Sequence, residues 1–283
     1  MAAPKRYLLK AKESVPEQAK RILRRLRMEV LDIGDFAERR RDMIPPRTMS
    51  NFVGGSDYKS TGLEFRRLFV EYGGLEPEHK VLDVGCGIGR MAVPLTSYLS
   101  PEGEYQGFDI VEGGIQWCQK NITPRFPNFH FAQANVLNKY YNPGGIYQAD
   151  SYRFPFEDER FDFIFLTSVF THMFPRDLEN YLKEISRVLR KGQSCFITFF
   201  LMNEESKSLV QKGLSSQNFV HPLDGCITTS LENPEGALAF SEEAIRELFT
   251  RYGLTIREPV RYGSWCGRSE FLSYQDIVIA TKD

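Results

Sequence analysis

Residues 79–95 read HKVLDVGCGIGRMAVPL, and the order of their types decides the fold. Val81, Leu82 and Val84 make a short apolar strand that runs into Gly85, Gly87 and Gly89, and a helical pattern over 89–99 follows. Glycines at a strand end reach backbone conformations closed to other residues and let a ligand lie against the main chain. The helix beyond is expected to aim free N–H groups at that ligand. Asp83 stands at the strand tip, and the next strand, EYQGFDI, ends in Asp109, placed to take a ribose hydroxyl pair. A dinucleotide fingerprint would read G-x-G-x-x-G. Here the third glycine comes one position early, and Arg90 stands where that pattern has glycine.

An acid, one residue and then G-x-G-x-G resembles the first motif of the class I S-adenosylmethionine-dependent methyltransferases, and the resemblance runs from about Gly62 to the C-terminus. It implies an α/β fold: a seven-stranded Rossmann-like sheet of order 3-2-1-4-5-7-6, last strand antiparallel, with helices on both faces. It also implies S-adenosyl-L-methionine as cofactor. By position, Gly85, Gly87 and Gly89 would admit the methionine part, Asp83 would help hold its ammonium group, and Asp109, followed by Ile110, would bind the ribose hydroxyls. The third strand, FHFAQAN, puts Asn135 where the family commonly has Asp, whereas Asp150 in ADSYRFPF keeps the family's spacing to a downstream Pro-Phe pair. Asn135 with the Val136 backbone is preferred at the adenine edge, because these residues end the strand directly and an amide oxygen can accept from an exocyclic amine. The family position also implies that Thr167 and Ser168, at the end of the fourth strand, contact cofactor or substrate through main chain or hydroxyl.

The 283 residues suffice for one large α/β domain with additions, and 42% apolar content suits an ordinary core. Five cysteines, odd in number and without a C-x-x-C pair, indicate neither a disulfide framework nor a zinc ribbon and suit a reducing, cytoplasmic setting. No apolar run approaches the roughly 20 residues that span a bilayer. Net charge is −1, but residues 1–41 carry +6 and the remainder −7, which excludes a globally basic DNA binder and leaves a local basic patch.

Ile22, Leu23, Leu26, Val30 and Ile33 recur at helical spacing among arginines, so residues 16–41 are expected to be a helix added to the fold. A solvated basic face on a packing helix is the plain reading, with an anionic substrate, a membrane surface or RNA as alternatives. The Pro- and Gly-rich run IPPRTMSNFVGGSDYKSTG is expected as loop and lid. Residues 1–61 thus form an N-terminal helix and lid, and 62–283 the methyltransferase domain. Within the latter, strands are expected at 79–84, 104–109, 128–133, 161–167, 194–201, 254–261 and 274–281, with helices at 63–73, 89–99, 112–122, 175–190 and 241–252. Insertions at 136–156 and 203–238 follow strand ends, where an open α/β sheet binds ligands, and are expected to build the substrate pocket.

Methyl transfer from a sulfonium needs its groups held in line, and a base only where the acceptor must lose a proton. His172, in FIFLTSVFTHMFP just beyond the fourth strand, is the expected general base, with His221 as runner-up; His79 and His130 lie at strand starts. The leading expectation is transfer to a small-molecule acceptor, most readily a hydroxyl oxygen. An RNA- or protein-directed enzyme using the basic N-terminal helix is the alternative, and a non-catalytic cofactor-binding protein a second one. Phe52, Tyr58 and Trp265 are expected to pack, and Arg268 to be solvated.

Overall fold

A computed structural model describes residues 17–34, 42–52 and 57–283. They divide into two units, one reaching Tyr58 and one spanning Lys59–Asp283. In the first, helix α1 covers Glu17–Gly34, and a 3-10 turn covers Arg47–Phe52. The Arg47 N–H donates to both carboxylate oxygens of Asp32, at 3.0 and 2.9 Å. The rest of the helix expected to residue 41, and residues 53–56 of the expected lid, lie outside the described residues.

Helix α2 (Tyr58–Leu68) begins inside the stretch expected as loop and runs on as a π turn over Phe69–Gly73. The order that follows is β1 (Lys80–Val84), α3 (Ala92–Leu95), β2 (Glu104–Asp109), α4 (Glu112–Asn121), β3 (Phe129–Gln133), β4 (Phe161–Leu166), α5 (Pro175–Val188) and β5 (Leu189–Phe199). Then come β6 (Leu201–Met202), α6 (Glu204–Gln211), β7 (His221–Leu223), β8 (Cys226–Thr228), β9 (Leu238–Ser241), α7 (Glu242–Arg251), β10 (Leu254–Ile256) and β11 (Asp276–Lys282). Seven of these strands form one sheet, ordered β10-β11-β5-β4-β1-β2-β3. β1 lies parallel to β2 and β4, whereas β11 runs antiparallel to both β5 and β10. This is the expected Rossmann-like topology with its reversed last strand.

Alternation along β4 shows how the sheet is held from both sides. Ile164 and Leu166 join Leu82, Val84 and Ile197 in a core closed by Leu178, Leu182 and Ile185 of α5. Phe163 and Phe165 face the other way, onto Phe69, at ring-centroid distances of 5.6 and 4.3 Å. Buried apolar area on both faces is what makes parallel strands stable. All five cysteines are buried with free thiols.

Three further elements differ from expectation. The helix expected over 89–99 is the four residues of α3, because Gly89 is left-handed, at φ +76°, and delays the start. It ends early because Thr96 Oγ1 and Ser97 Oγ take the carbonyls of Val93 and Pro94, at 2.7 and 3.0 Å. Strand β5 begins at Leu189, five residues sooner than expected, since α5 stops at Val188. The strand expected over 254–261 ends at Ile256.

Residues 203–238 are more ordered than a loop. Asn203 caps α6 with a reciprocal Asn203–Ser206 capping box, and β7, β8 and β9 join β6 in a second sheet ordered β6-β9-β8-β7. This sheet is tied to β11 through Asp276, fully buried, which accepts from the Leu201 and Gly263 N–H groups, Trp265 Nε1 and Arg268 Nη1. Arg268 is itself 7% exposed rather than solvated, bonds Glu205 at 2.8 Å and stacks on Tyr262. Breaking a buried pair leaves an uncompensated charge, so Arg268→Ala should destabilise the fold by about 3 kcal/mol. Denaturant unfolding checks this; a loss no larger than that of an exposed arginine would mean that Asp276 is held by its other donors alone.

Candidate functional site

The glycine turn is built by its own backbone. Gly85, Gly87 and Gly89 all have positive φ, at +86°, +55° and +76°. The N–H groups of Gly85 and Cys86 donate to Phe108 O at 2.9 and 3.1 Å, and that of Gly89 to Cys86 O at 2.9 Å. The Gly87 N–H donates to Asp109 Oδ2 at 2.7 Å. The expectation of N–H groups aimed at a ligand is therefore corrected: these four donors are engaged within the loop and with β2, and α3 starts beyond them and is only four residues long.

What the crevice presents is acceptors. Asp83 is 1% exposed; its Oδ2 accepts from Tyr105 Oη at 2.5 Å, and its Oδ1 has no hydrogen-bond partner. Burial lifts the Asp83 carboxyl to about 8 against the pull of the Tyr105 hydrogen bond, and the neighbouring Asp109 adds to the rise. Asp109 Oδ1 accepts from the Val111 N–H at 2.8 Å. Burial raises its pKa too, while the N–H groups of Val111, Gly87 and Ile110 hold it down.

Strand β4 delivers the other wall. Thr167, half-buried, follows it, and Ser168 is a left-handed non-glycine residue at φ +59°, held by Thr198 Oγ1 on its N–H at 2.8 Å and by Gln275 on its hydroxyl at 3.0 Å. Such a conformation stores about 1 kcal/mol and gathers at functional sites. Val169 then lies over Gly85: a Cβ on Gly85 would meet Val169 Cγ2 at 2.4 Å. Phe170–His172 form one 3-10 turn, and the His172 N–H donates to Val169 O at 3.0 Å. His172, half-buried, is thus one short turn from the glycine loop. Its Nδ1 lies 2.7 Å from Glu235 O, a contact that requires the proton on Nδ1 and leaves the lone pair on Nε2. The Glu235 carboxyl is raised by burial and drawn down by Lys139 and His172, so insertion 136–156, through Lys139, reaches the same region.

At the end of β3, the Ala134 N–H donates to Asp109 O at 2.9 Å, which sets Asn135 beside Asp109. Asn135 Oδ1 receives a long 3.3 Å bond from Asn142, whose amide also reaches Val136 O at 2.9 Å. The Val136 N–H turns back to Ala134 O at 2.8 Å, so both Val136 backbone polar groups are engaged locally. Asp150 is exposed, in a 3-10 turn at Ala149–Ser151.

A pyrophosphate here would face two carboxylates and a loop whose donors are used; an orphaned buried carboxylate oxygen calls instead for a cation. Residues 82–197 match the family described as methyltransferase domain. Residues 82–197 thus carry a methyltransferase domain. A solved S-adenosylmethionine-dependent methyltransferase from Methanosarcina mazei is similar in fold, at TM-score 0.51 and 21% identity, over 75% of this chain and 96% of that one. Among curated relatives, the chain is 21% identical over 68% of its length to a chicken tRNA N(3)-cytidine methyltransferase, METTL2, and 28% identical over 58% to a sterol 24-C-methyltransferase, erg6, from Schizosaccharomyces pombe. The matches span 47% and 39% of those relatives' own lengths.

The other histidines are placed elsewhere. His221 opens β7, the strand of the small sheet farthest from β6, and His79 and His130 lie at the amino ends of β1 and β3. Among the described residues no helix is long and apolar enough to cross a membrane. Tyr105 and Val169 carry weight in the site without standing out in the sequence. Tyr105 pairs with Val81, two residues before Asp83 on the neighbouring strand, so that the two side chains share a face of the sheet; nothing in the sequence marks Val169.

Proposed function

We propose that this methyltransferase transfers a methyl group to a small-molecule acceptor, most readily a hydroxyl oxygen, with His172 as general base. The observation that carries the reading is the bond from His172 Nδ1 to the Glu235 carbonyl, at 2.7 Å and one turn from Gly85, because it leaves Nε2 able to accept a proton. S-Adenosylmethionine supplies an activated methyl group on a sulfonium. The chain's own residues hold and orient. Asp83 Oδ1, orphaned and buried, would receive the ammonium group, and the turn at Gly85, Gly87 and Gly89 would pass the methionine part. Asp109, with Ile110 beside it, would accept from the ribose hydroxyls on lone pairs that its backbone donors leave over. Asn135 would meet the adenine edge with its amide; Val136 would contribute shape, since its polar groups are engaged. Thr167 would border the methyl-transfer point at the end of β4.

Two features favour a small acceptor. The insertion at 136–156 exposes Leu137, Tyr140, Tyr141, Ile146 and Tyr147, an apolar and aromatic rim of the kind that binds small organic molecules. The sequence from residue 42 onward carries a net charge of −7, which opposes polyanionic RNA. An RNA acceptor is the second reading, supported by the likeness to the tRNA methyltransferase.

The reading is tested by incubating the protein with labelled S-adenosylmethionine and size-fractionated cell extract. Label in the small-molecule fraction is expected, and label confined to nuclease-sensitive material would replace this proposal by the second. Asp109→Ala should weaken both the cofactor and its demethylated product by about 1–3 kcal/mol, the cost of leaving buried polar groups unpaired. Calorimetry on the folded variant checks it, and unchanged affinity would remove Asp109 from the site.

A further inference from the structure

Helix α1 has a face that the methyltransferase reaction does not account for. Ile22, Leu23, Leu26 and Val30 fall within one stripe of the helix, and they are 59%, 61%, 52% and 68% exposed. Four large apolar side chains this open on one face are not a scatter of single exposures. By helical spacing, the positions of Lys20, Arg24 and Arg27 run along one flank of the stripe, and those of Arg21 and Arg25 along the other, together with Glu29 and Asp32. With Glu17, Glu29 and Asp32 the helix carries a net charge of +2, within a 41-residue stretch that carries +6.

We infer that α1 lies in the surface of an anionic lipid bilayer, its apolar stripe in the acyl boundary and its basic flank, at the positions of Lys20, Arg24 and Arg27, toward the headgroups. An 18-residue helix is about 27 Å long. It is too charged to cross a bilayer and suited to lie along one. Charge separates the possible occupants. RNA would engage the arginines but leave the apolar stripe in water. A second copy of the helix would cover the stripe but bring together two helices that each carry +2. An anionic bilayer satisfies both, and the −7 of the remaining chain is repelled by the same surface, which confines attachment to this segment. The inference does not depend on the identity of the methyl acceptor.

The test is flotation of the full-length protein with vesicles of phosphatidylcholine alone or with about one quarter phosphatidylserine. Binding to the mixed vesicles, falling as salt rises, is expected, with little binding to the neutral ones. Leu23→Glu with Leu26→Glu should lower partitioning by about tenfold or more, since it removes two buried leucines from the interface. Both positions are exposed, so the fold should be kept, and S-adenosylmethionine affinity read by calorimetry should not change. Equal binding of variant and wild type, or no binding to either vesicle, would overturn the inference. So would salt-sensitive binding to an RNA oligomer without vesicle binding, or a concentration-dependent dimer in sedimentation that the double variant abolishes. Loss of cofactor affinity in wild type would strike the methyltransferase reading and leave the vesicle result standing.

Discussion

Asp83→Asn is expected to weaken S-adenosylmethionine binding by about 100-fold or more and, at neutral pH and above, to raise the melting temperature. The first effect follows from removing one partner of a buried charge pair, worth about 3–5 kcal/mol. The second follows from linkage. The Asp83 carboxyl titrates at about 8 in the ligand-free fold, against 3.8 for an aspartate in an unstructured chain. Between these values the folded form holds a proton that the unfolded form has lost, so the residue's contribution falls as pH rises and is most unfavourable above about 8. Asparagine removes that penalty. The same titration governs the wild type's affinity: below pH 8 the ammonium group must displace the proton, so binding should weaken by roughly tenfold per pH unit and release a proton at neutral pH. Calorimetry in buffers of different ionisation enthalpy reads the proton directly. Binding with no proton release, and a pH profile shared with the variant, would show that the orphaned oxygen does not meet the cofactor.

His172→Ala should keep cofactor affinity and lower turnover by about 10²–10⁴-fold, the usual contribution of a positioned base. The wild-type rate should carry an ascending pH limb that the variant lacks, since a general base acts only when unprotonated. Because His172 sits on the turn that carries Val169 over Gly85, His172→Gln serves as the control: it keeps a side chain of similar reach without a titratable nitrogen. Should alanine and glutamine both turn over normally with the wild-type profile, His172 would be structural, and the acceptor would be nucleophilic unaided or deprotonated elsewhere.

The parallel sheet is legible in the sequence because each of its strands is a short apolar run closed by a turn, and because the glycines at 85, 87 and 89 admit few other geometries. The roles assigned to Asp83 and Asp109 come from the same pattern, and the structure sets both carboxylates beside the turn. What the sequence hides is how the turn uses its own hydrogen bonds. No residue type reveals that the Gly87 N–H goes to Asp109, or that Gly89 in a left-handed conformation holds off the helix behind it. The small sheet within 203–238 is hidden for another reason. Strands of two to four residues carry too little periodicity to read, and the pairing of Leu201 with Phe240 and of Met202 with Ser241 joins positions 39 apart in the chain. Arg268 reads as solvated because its partner, Asp276, belongs to a different strand and by itself resembles an ordinary strand-end acid.

The group that fixes His172 in its tautomer is a main-chain carbonyl, and this changes what heredity can see. Replacing Glu235 by any residue that keeps the turn at Pro234–Gly236 leaves that oxygen where it is. Side-chain scanning across the turn would therefore pass over it, and descendants of this chain could exchange every side chain there while keeping the same chemistry at the histidine. The turn at Pro234–Gly236 can thus drift in composition and still hold the His172 ring, provided its path is kept.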